Sequence, residues 1–184
     1  MHVQRHLLFL VLLVAVYGCF EVGTLVSTRS KFRAGSRDLT FYAVTIPGML
    51  SLWAPFLCMF LRVASLPVYV AGIAVMVFGA VTRARGVSEL QGFFSTVVEK
   101  LDGHVLIDQG LHAYIRHPAY LGTLLMSFSV VVASSAPWWI YLFPLLTVAG
   151  VLVRIRKEEG FLAKSLPGYD EYMKKTRRLI PGVF

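Results

Sequence analysis

Apolar residues in this chain are gathered into long stretches, without the strict alternation of a half-buried strand or the one-sided stripe of a surface helix. Runs at 7–26, 41–61, 65–82, 118–133 and 138–153 approach the roughly 20 residues that a helix needs to cross a bilayer core, and each is expected to be a transmembrane helix. The third to fifth runs are somewhat short. The last two are joined by "SSAPWW", whose tryptophans suit a membrane interface, and are expected to form a tight helical hairpin.

Only 15% of the residues are charged against 57% hydrophobic, too few solvating side chains for a soluble domain of 184 residues. The expected class is therefore an all-α integral membrane protein, a single domain over 1–184 with about five spans. A net charge of +8 would otherwise suggest nucleic acid, so its placement matters more than its sum. If the spans alternate, sixteen of the 18 Lys and Arg residues fall on one side of the membrane and only Arg5 and Arg62 on the other. The positive-inside rule makes the basic side cytosolic, with the amino terminus outside and the carboxyl terminus inside. Topology thus accounts for the charge. No basic arm with interleaved aromatics is present for stacking on bases, so no nucleic-acid partner is expected.

"MHVQRH" followed by "LLFLVLLVAVYGC" also has the basic start and apolar centre of a secretory signal. Tyr17 and Gly18 before Cys19, with Glu21 close behind, make a poor cleavage site, and the run is kept as a span. Glu21, an ionisable group inside that run, is expected to be functional or paired, or else close enough to the helix end to reach the surface. Cys19 and Cys58 lie in separate apolar runs without CxxC spacing, which indicates packing and neither a disulfide nor a thiolate metal site.

Two long polar segments, 83–117 and 154–184, fall on the basic side, and any chemistry is expected there. In "YIRHPAYLG", residues 114–122, Pro118 suits the first position of a helix and drives His117 out of the helical region, toward an extended conformation. The helix amino terminus favours anions, so a carboxylate of a small ligand could bind there with Tyr120 one turn inside. Taken alone, Arg116 and His117 could equally be residues that flank a span. In "RIRKEEGFLAKSLPGYDEYMKKTRRLIP", Arg154 and Glu158 stand four apart and share a helical face. An arginine can hold a carboxylate by two prongs, and a glutamate can accept from ribose hydroxyls or an ammonium. This run, too, could be a solvated flank. Tyr169 and Tyr172 share a face and are expected to pack. Upstream, Asp102-Gly103 marks a turn, and Val105 to Ile107 could run extended beside an adenine. His104, His112 and His117 lack metal-ligand spacing, so no metal is expected. Without GxGxxG or a P-loop, no Rossmann or Walker site is supported.

The order and spacing of these pieces resemble the isoprenylcysteine carboxyl methyltransferase family of membrane enzymes, particularly its small prokaryotic members. "DGHVLIDQGLHAYIRHPAYLG" is similar to the family's DGH-x-L, G-x-Y and RHP-x-Y-x-G, and the later run to its R-x-x-x-E-E-x-x-L, Y-x-x-Y and R-x-x-P. The resemblance covers roughly 96–184. It implies S-adenosylmethionine as cofactor, in a cytosolic pocket open sideways to lipid. By position it assigns Glu99, His104, Val105, Leu106, Ile107, His112, His117, Pro118, Ala119, Tyr120 and Glu158 to that pocket and Arg154 to the acceptor. His112 stands where the family usually has tyrosine, and "KSLPGY" is shorter and richer in proline than usual, so the last helix is expected to break there.

The implied reaction moves a methyl group from a sulfonium to the carboxylate of an isoprenylcysteine-like substrate within the membrane. A carboxylate is already ionised at pH 7, so no strong general base is needed, which agrees with the absence of a Ser-His-Asp or Cys-His set. Expected partners are a lipophilic or prenylated acceptor and membrane lipid. The rival readings are a phospholipid N-methyltransferase, an NADPH-dependent sterol-reductase-like enzyme, and a non-enzymatic membrane protein of the same fold.

Overall fold

The computed structural model describes Gly18 and residues 39–58, 65–90 and 106–181, with side chains of 39–58 described only up to 51 and at 53. The first expected span, 7–26, lies outside the described residues. Those described form five α-helices: α1 (Leu39–Cys58), α2 (Leu66–Glu89), α3 (Pro118–Ala133), α4 (Leu142–Ser165) and α5 (Tyr169–Lys175). Single 3-10 turns precede α3 (Gly110–Ala113) and α4 (Trp138–Tyr141). No strand occurs among them, only one isolated parallel bridge between Ile115 and Arg177. By length and composition, Leu66–Glu89 and Trp138–Ser165 could each cross a membrane, while Leu39–Ser51 and Pro118–Ala133 are shorter apolar helices.

α3 has the bounds expected from its apolar run, but α2 and α4 continue well past theirs. The expected spans end just before Arg83 and Arg154, where the apolar runs stop. Both arginines are buried, at 7% and 2% exposure. Arg83 Nη1 donates to Thr123 Oγ1 at 2.9 Å and to the Ala119 carbonyl, so its helix carries on through the charge. α4 breaks at Leu166, Pro167 and Gly168, the last at φ 82°, as "KSLPGY" predicted.

The expected hairpin of the fourth and fifth spans is tight in sequence but not in packing. α3 packs chiefly on α2, and α4 on α1. The reason lies in small residues. Gly72, Gly79 and Gly86 recur every seven positions and keep one stripe of α2 facing antiparallel α3. At the crossing a Cβ on Gly79 would lie 3.0 Å from the Gly122 oxygen, and one on Gly122 would lie 2.5 Å from the Gly79 oxygen and 2.7 Å from the Arg83 nitrogen. In lipid, where burial of apolar surface does not drive helices together, such contact between backbones is a main source of association.

Hydroxyls inside the helices accept the same constraint. Ser51, Thr82, Ser127 and Thr147 each donate to the carbonyl four residues earlier, leaving no hydroxyl proton unpaired there. Val68, Val77, Phe78 and Val81 on α2 and Leu145, Leu146 and Val153 on α4 are exposed, an arrangement suited to lipid contact.

Candidate active site

Four helix ends meet at one pole of the bundle: the start of α1, the ends of α2 and α4, and the start of α3. Pro118 occupies the first turn of α3 as its fixed φ favours. His117 before it takes φ −126° and ψ 57°, outside the helical region as expected but short of the extended conformation. Its N–H, which a helix cannot satisfy at this position, donates to the Arg178 carbonyl at 3.0 Å. The Arg116 N–H donates to the Arg177 carbonyl at 2.7 Å, and the Arg177 N–H returns to the Tyr114 carbonyl at 3.1 Å. The carboxyl-terminal segment thereby runs parallel to the entry of α3.

Arg154 and Glu158 share one face of α4, as their spacing predicted: Arg154 Nε donates to Glu158 Oε1 at 2.9 Å. Tyr120 reaches across from α3 and joins them. Its hydroxyl donates to Glu158 Oε1 and accepts from Arg154 Nε, each at 2.5 Å. Arg154 Nη1 lies 3.5 Å from Thr40 Oγ1, and the guanidinium sits 5.9 Å from the centre of the Phe41 ring. With Nε committed to Glu158 and Tyr120, a two-pronged grip on an acceptor carboxylate has to come from the Nη edge.

His117 lies between two carboxylates. Its Nδ1 is 3.8 Å from Glu158 Oε2, and its Nε2 is 3.5 Å from Glu159 Oε1. Both are ionic-range contacts, and buried Nε2 has no well-aligned hydrogen-bond partner among the described residues. Glu159 receives Arg116 Nε at 2.7 Å and Arg178 Nε at 2.8 Å.

His112 occupies a second cluster. Its Nδ1 lies 3.1 Å from Glu89 Oε2, which also accepts from the Leu111 N–H at 2.8 Å. Burial holds this imidazole below its usual range despite the opposing pull of Glu89, so it is neutral at pH 7. The Tyr172 hydroxyl donates to the His112 carbonyl at 2.7 Å. Tyr169 and Tyr172 pack with ring centres 5.7 Å apart, as expected, beside Leu166 and Leu106. Burial pushes the Tyr172 hydroxyl up to about 12 and that of Tyr169 further, which removes both as bases at neutral pH.

His117, Tyr120, Arg154 and Glu158 therefore come together. Pro118 and Ala119 are buried against Gly86 of α2. Leu106 belongs to the tyrosine cluster, and Ile107 is half-buried. Glu99, His104 and Val105 lie outside the described residues. Sequence reasoning assigned no role to Glu89, Arg116 or Glu159. For Glu159 the signal was the doublet itself, since neighbouring residues on a helix point about 100° apart and need different partners.

A family model, the isoprenylcysteine carboxyl methyltransferase family, matches residues 72–164. A protein-S-isoprenylcysteine O-methyltransferase of Dictyostelium discoideum is 33% identical over 115 residues, covering 61% of this chain and 48% of that protein. One from Xenopus laevis is 30% identical over 115 residues, covering 61% and 40%. A solved structure of the eukaryotic intramembrane Ras methyltransferase, isoprenylcysteine carboxyl methyltransferase, aligns with a TM-score of 0.59 at 27% identity, over 76% of this chain and 52% of the other. The chain spans about half the length of these proteins or less. The matched segment takes in the α2–α3 seam and the Tyr120, Arg154 and Glu158 cluster, and on it the chain belongs to the isoprenylcysteine carboxyl methyltransferase family.

Proposed function

We propose that this chain is a membrane methyltransferase that uses S-adenosylmethionine to methylate the carboxylate of a lipophilic, isoprenylcysteine-like acceptor. Five spans carry it, with the polar pole on the cytosolic side, in keeping with sixteen of the 18 Lys and Arg residues on one face. The observation that carries the reading is the junction of Tyr120, Arg154 and Glu158. It joins a cation suited to an acceptor carboxylate to an anion suited to a cofactor, with 2.9 Å between them.

The residues fit such a cofactor. Glu158 Oε2 lies 3.8 Å from His117 Nδ1, beyond hydrogen-bond distance, which leaves capacity for a ligand between them, and His117 Nε2, on the Glu159 side of the ring, is a buried polar atom with no aligned partner among the described residues. Tyr120 fixes the Glu158 carboxylate by its hydroxyl. Glu158, His117 and Tyr120 are the inner contacts in this reading. The family resemblance adds Leu106, Ile107, His112, Pro118 and Ala119 as outer contacts, and adds Glu99, His104 and Val105 by sequence position alone, since these three lie outside the described residues. When bound, S-adenosylmethionine supplies a methyl group on a sulfonium, which makes it an electrophile.

What the chain contributes is alignment and dryness. Arg154 orients the acceptor carboxylate, which arrives ionised, so no side chain has to remove a proton. Its sharing with Glu158 limits how far it neutralises that carboxylate, which keeps the nucleophile reactive. The buried setting of Arg154 and His117 excludes water from two oppositely charged reactants.

Calorimetry on the purified protein tests the cofactor, and labelled methyl transfer to a farnesylated cysteine analogue, with a lipid amine in parallel, tests the acceptor. Glu158→Ala and His117→Ala each remove a contact worth about 1.5 to 3 kcal/mol and should weaken cofactor binding by that much. Unchanged affinity in both variants would return these residues to a flanking role. Labelling of the amine alone would make the chain an N-methyltransferase.

A further inference from the structure

Glu158 and Glu159 are adjacent in sequence, yet only Glu158 touches Arg154 and Tyr120. Glu159 faces the carboxyl-terminal segment. Its side chain is 6% exposed and is held by Arg116 at Oε1 and Arg178 at Oε2. Arg116 is bound in turn by that segment, since its Nη1 donates to the Met173 carbonyl at 3.0 Å and to both the carbonyl and the hydroxyl of Thr176. The ring of His117 leans on Glu159 Oε1 at 3.5 Å, and its backbone N–H is satisfied by Arg178. Both the ring and the backbone of His117 thus depend on residues 176–178, directly or through Glu159. Two guanidinium groups of fixed planar shape on one carboxylate also fix the plane of that carboxylate, which a single lysine contact would not do.

We propose that Glu159 is a positioning residue that couples seating of the tail, residues 176–179, to the orientation of His117, so that the cofactor side of the site is complete only with the tail seated. This rests on the reading of His117 as a cofactor contact. Without Glu159 or Arg178, the tail keeps its backbone pairing with residues 114–117 and the packing of Leu179 on Val151 and Ile155 of α4, but loses the ion pair between Arg178 and the Glu159 carboxylate. Coupling between two binding events is reciprocal, so a ligand that touches His117 must stabilise the seated tail by the same factor that the seated tail strengthens the ligand.

The test uses the full chain in lipid nanodiscs. Affinity for S-adenosylmethionine is measured by calorimetry, and amide hydrogen exchange is followed over 174–181 with and without the cofactor. In the unaltered chain the cofactor should slow exchange at Arg177, whose N–H pairs with Tyr114. Glu159→Gln should weaken cofactor affinity by about fivefold or more, within the usual range of such couplings, while transfer at saturating cofactor changes less. Arg178→Ala should act in the same direction, with Arg178→Lys recovering part of the loss, and it carries the test if Glu159→Gln fails to fold. Exchange at Arg177 unmoved by cofactor, or wild-type affinity in Arg178→Ala, would overturn the coupling while leaving the methyltransferase reading intact. No cofactor binding by the unaltered chain would remove that reading and this inference together.

Discussion

Along the α2–α3 seam the chain brings two helices together by having almost no side chain between them. At the polar pole, a few residues away, it keeps long charged side chains and ties three arginines to two glutamates. Gly79 and Gly122 let backbone meet backbone, whereas beyond Pro118 Arg154 is paired with Glu158, and Arg116 and Arg178 share Glu159. Arg83 belongs to both regions, since its backbone lies against Gly122 and its guanidinium bonds Ala119 and Thr123. The difference lies in how each region fails. A seam built on the absence of atoms is sensitive to volume and indifferent to charge, whereas the pole is sensitive to the loss of a single charge or donor and lies where function is expected.

Adding volume to the seam should have the largest effect. A Cβ at Gly79 would stand 2.9 Å from Leu125 Cβ and 3.0 Å from the Gly122 oxygen. Gly79→Ala should therefore destabilise by about 1 to 3 kcal/mol, read as a lower thermal midpoint in detergent. Gly79→Leu, which needs the helices to part along their whole contact, should yield no folded protein. Normal folding of Gly79→Leu would mean that the seam is not a close contact, and the comparison would fall.

At the pole the corresponding change is Arg154→Ala, which should fold and retain cofactor affinity while methyl transfer falls. The loss should be on the order of tenfold to a thousandfold, or about 1.4 to 4 kcal/mol of transition-state stabilisation. Arg154→Lys should restore only part, since an ammonium keeps the charge without the planar fork that now serves Tyr120 and Glu158 together. Full transfer by Arg154→Ala on its preferred acceptor would remove this residue from the mechanism.

These two regions also differ in how readily the sequence discloses them. That Arg154 and Glu158 share a helical face is legible from their spacing, and the helix start at Pro118 from its place before an apolar run, because both signals are local, whereas roles for these residues come only from the family resemblance. The glycine stripe is silent in the sequence despite its seven-residue period, because a glycine carries no pattern of its own until the facing helix is known. α2 and α4 outrun their apolar runs because a charge in sequence carries no sign of whether it will be paired. Arg83 depends on Thr123, and Glu159 on Arg116 and Arg178, partners that only the fold brings close. Likewise, the hairpin expected of α3 and α4 followed from a short connection, whereas the packing followed from which faces were small.

The smallest change provides the control for the seam. Gly160 lies in α4 between the glutamate doublet and Lys164, exposed, and an ideal Cβ there would meet nothing within 4 Å. Glycine inside a helix costs about 0.5 to 1 kcal/mol relative to alanine, because the unfolded chain has more backbone freedom to lose. Gly160→Ala should therefore raise stability by about that amount, a shift opposite in sign to that of Gly79→Ala although the same methyl group is added. Cofactor affinity should stay unchanged, since the new methyl points away from the faces that carry Arg154, Glu158 and Glu159. A lowered midpoint or weaker cofactor binding in Gly160→Ala would show that another part of the chain packs against this face of α4, and the pole would then share the seam's sensitivity to volume.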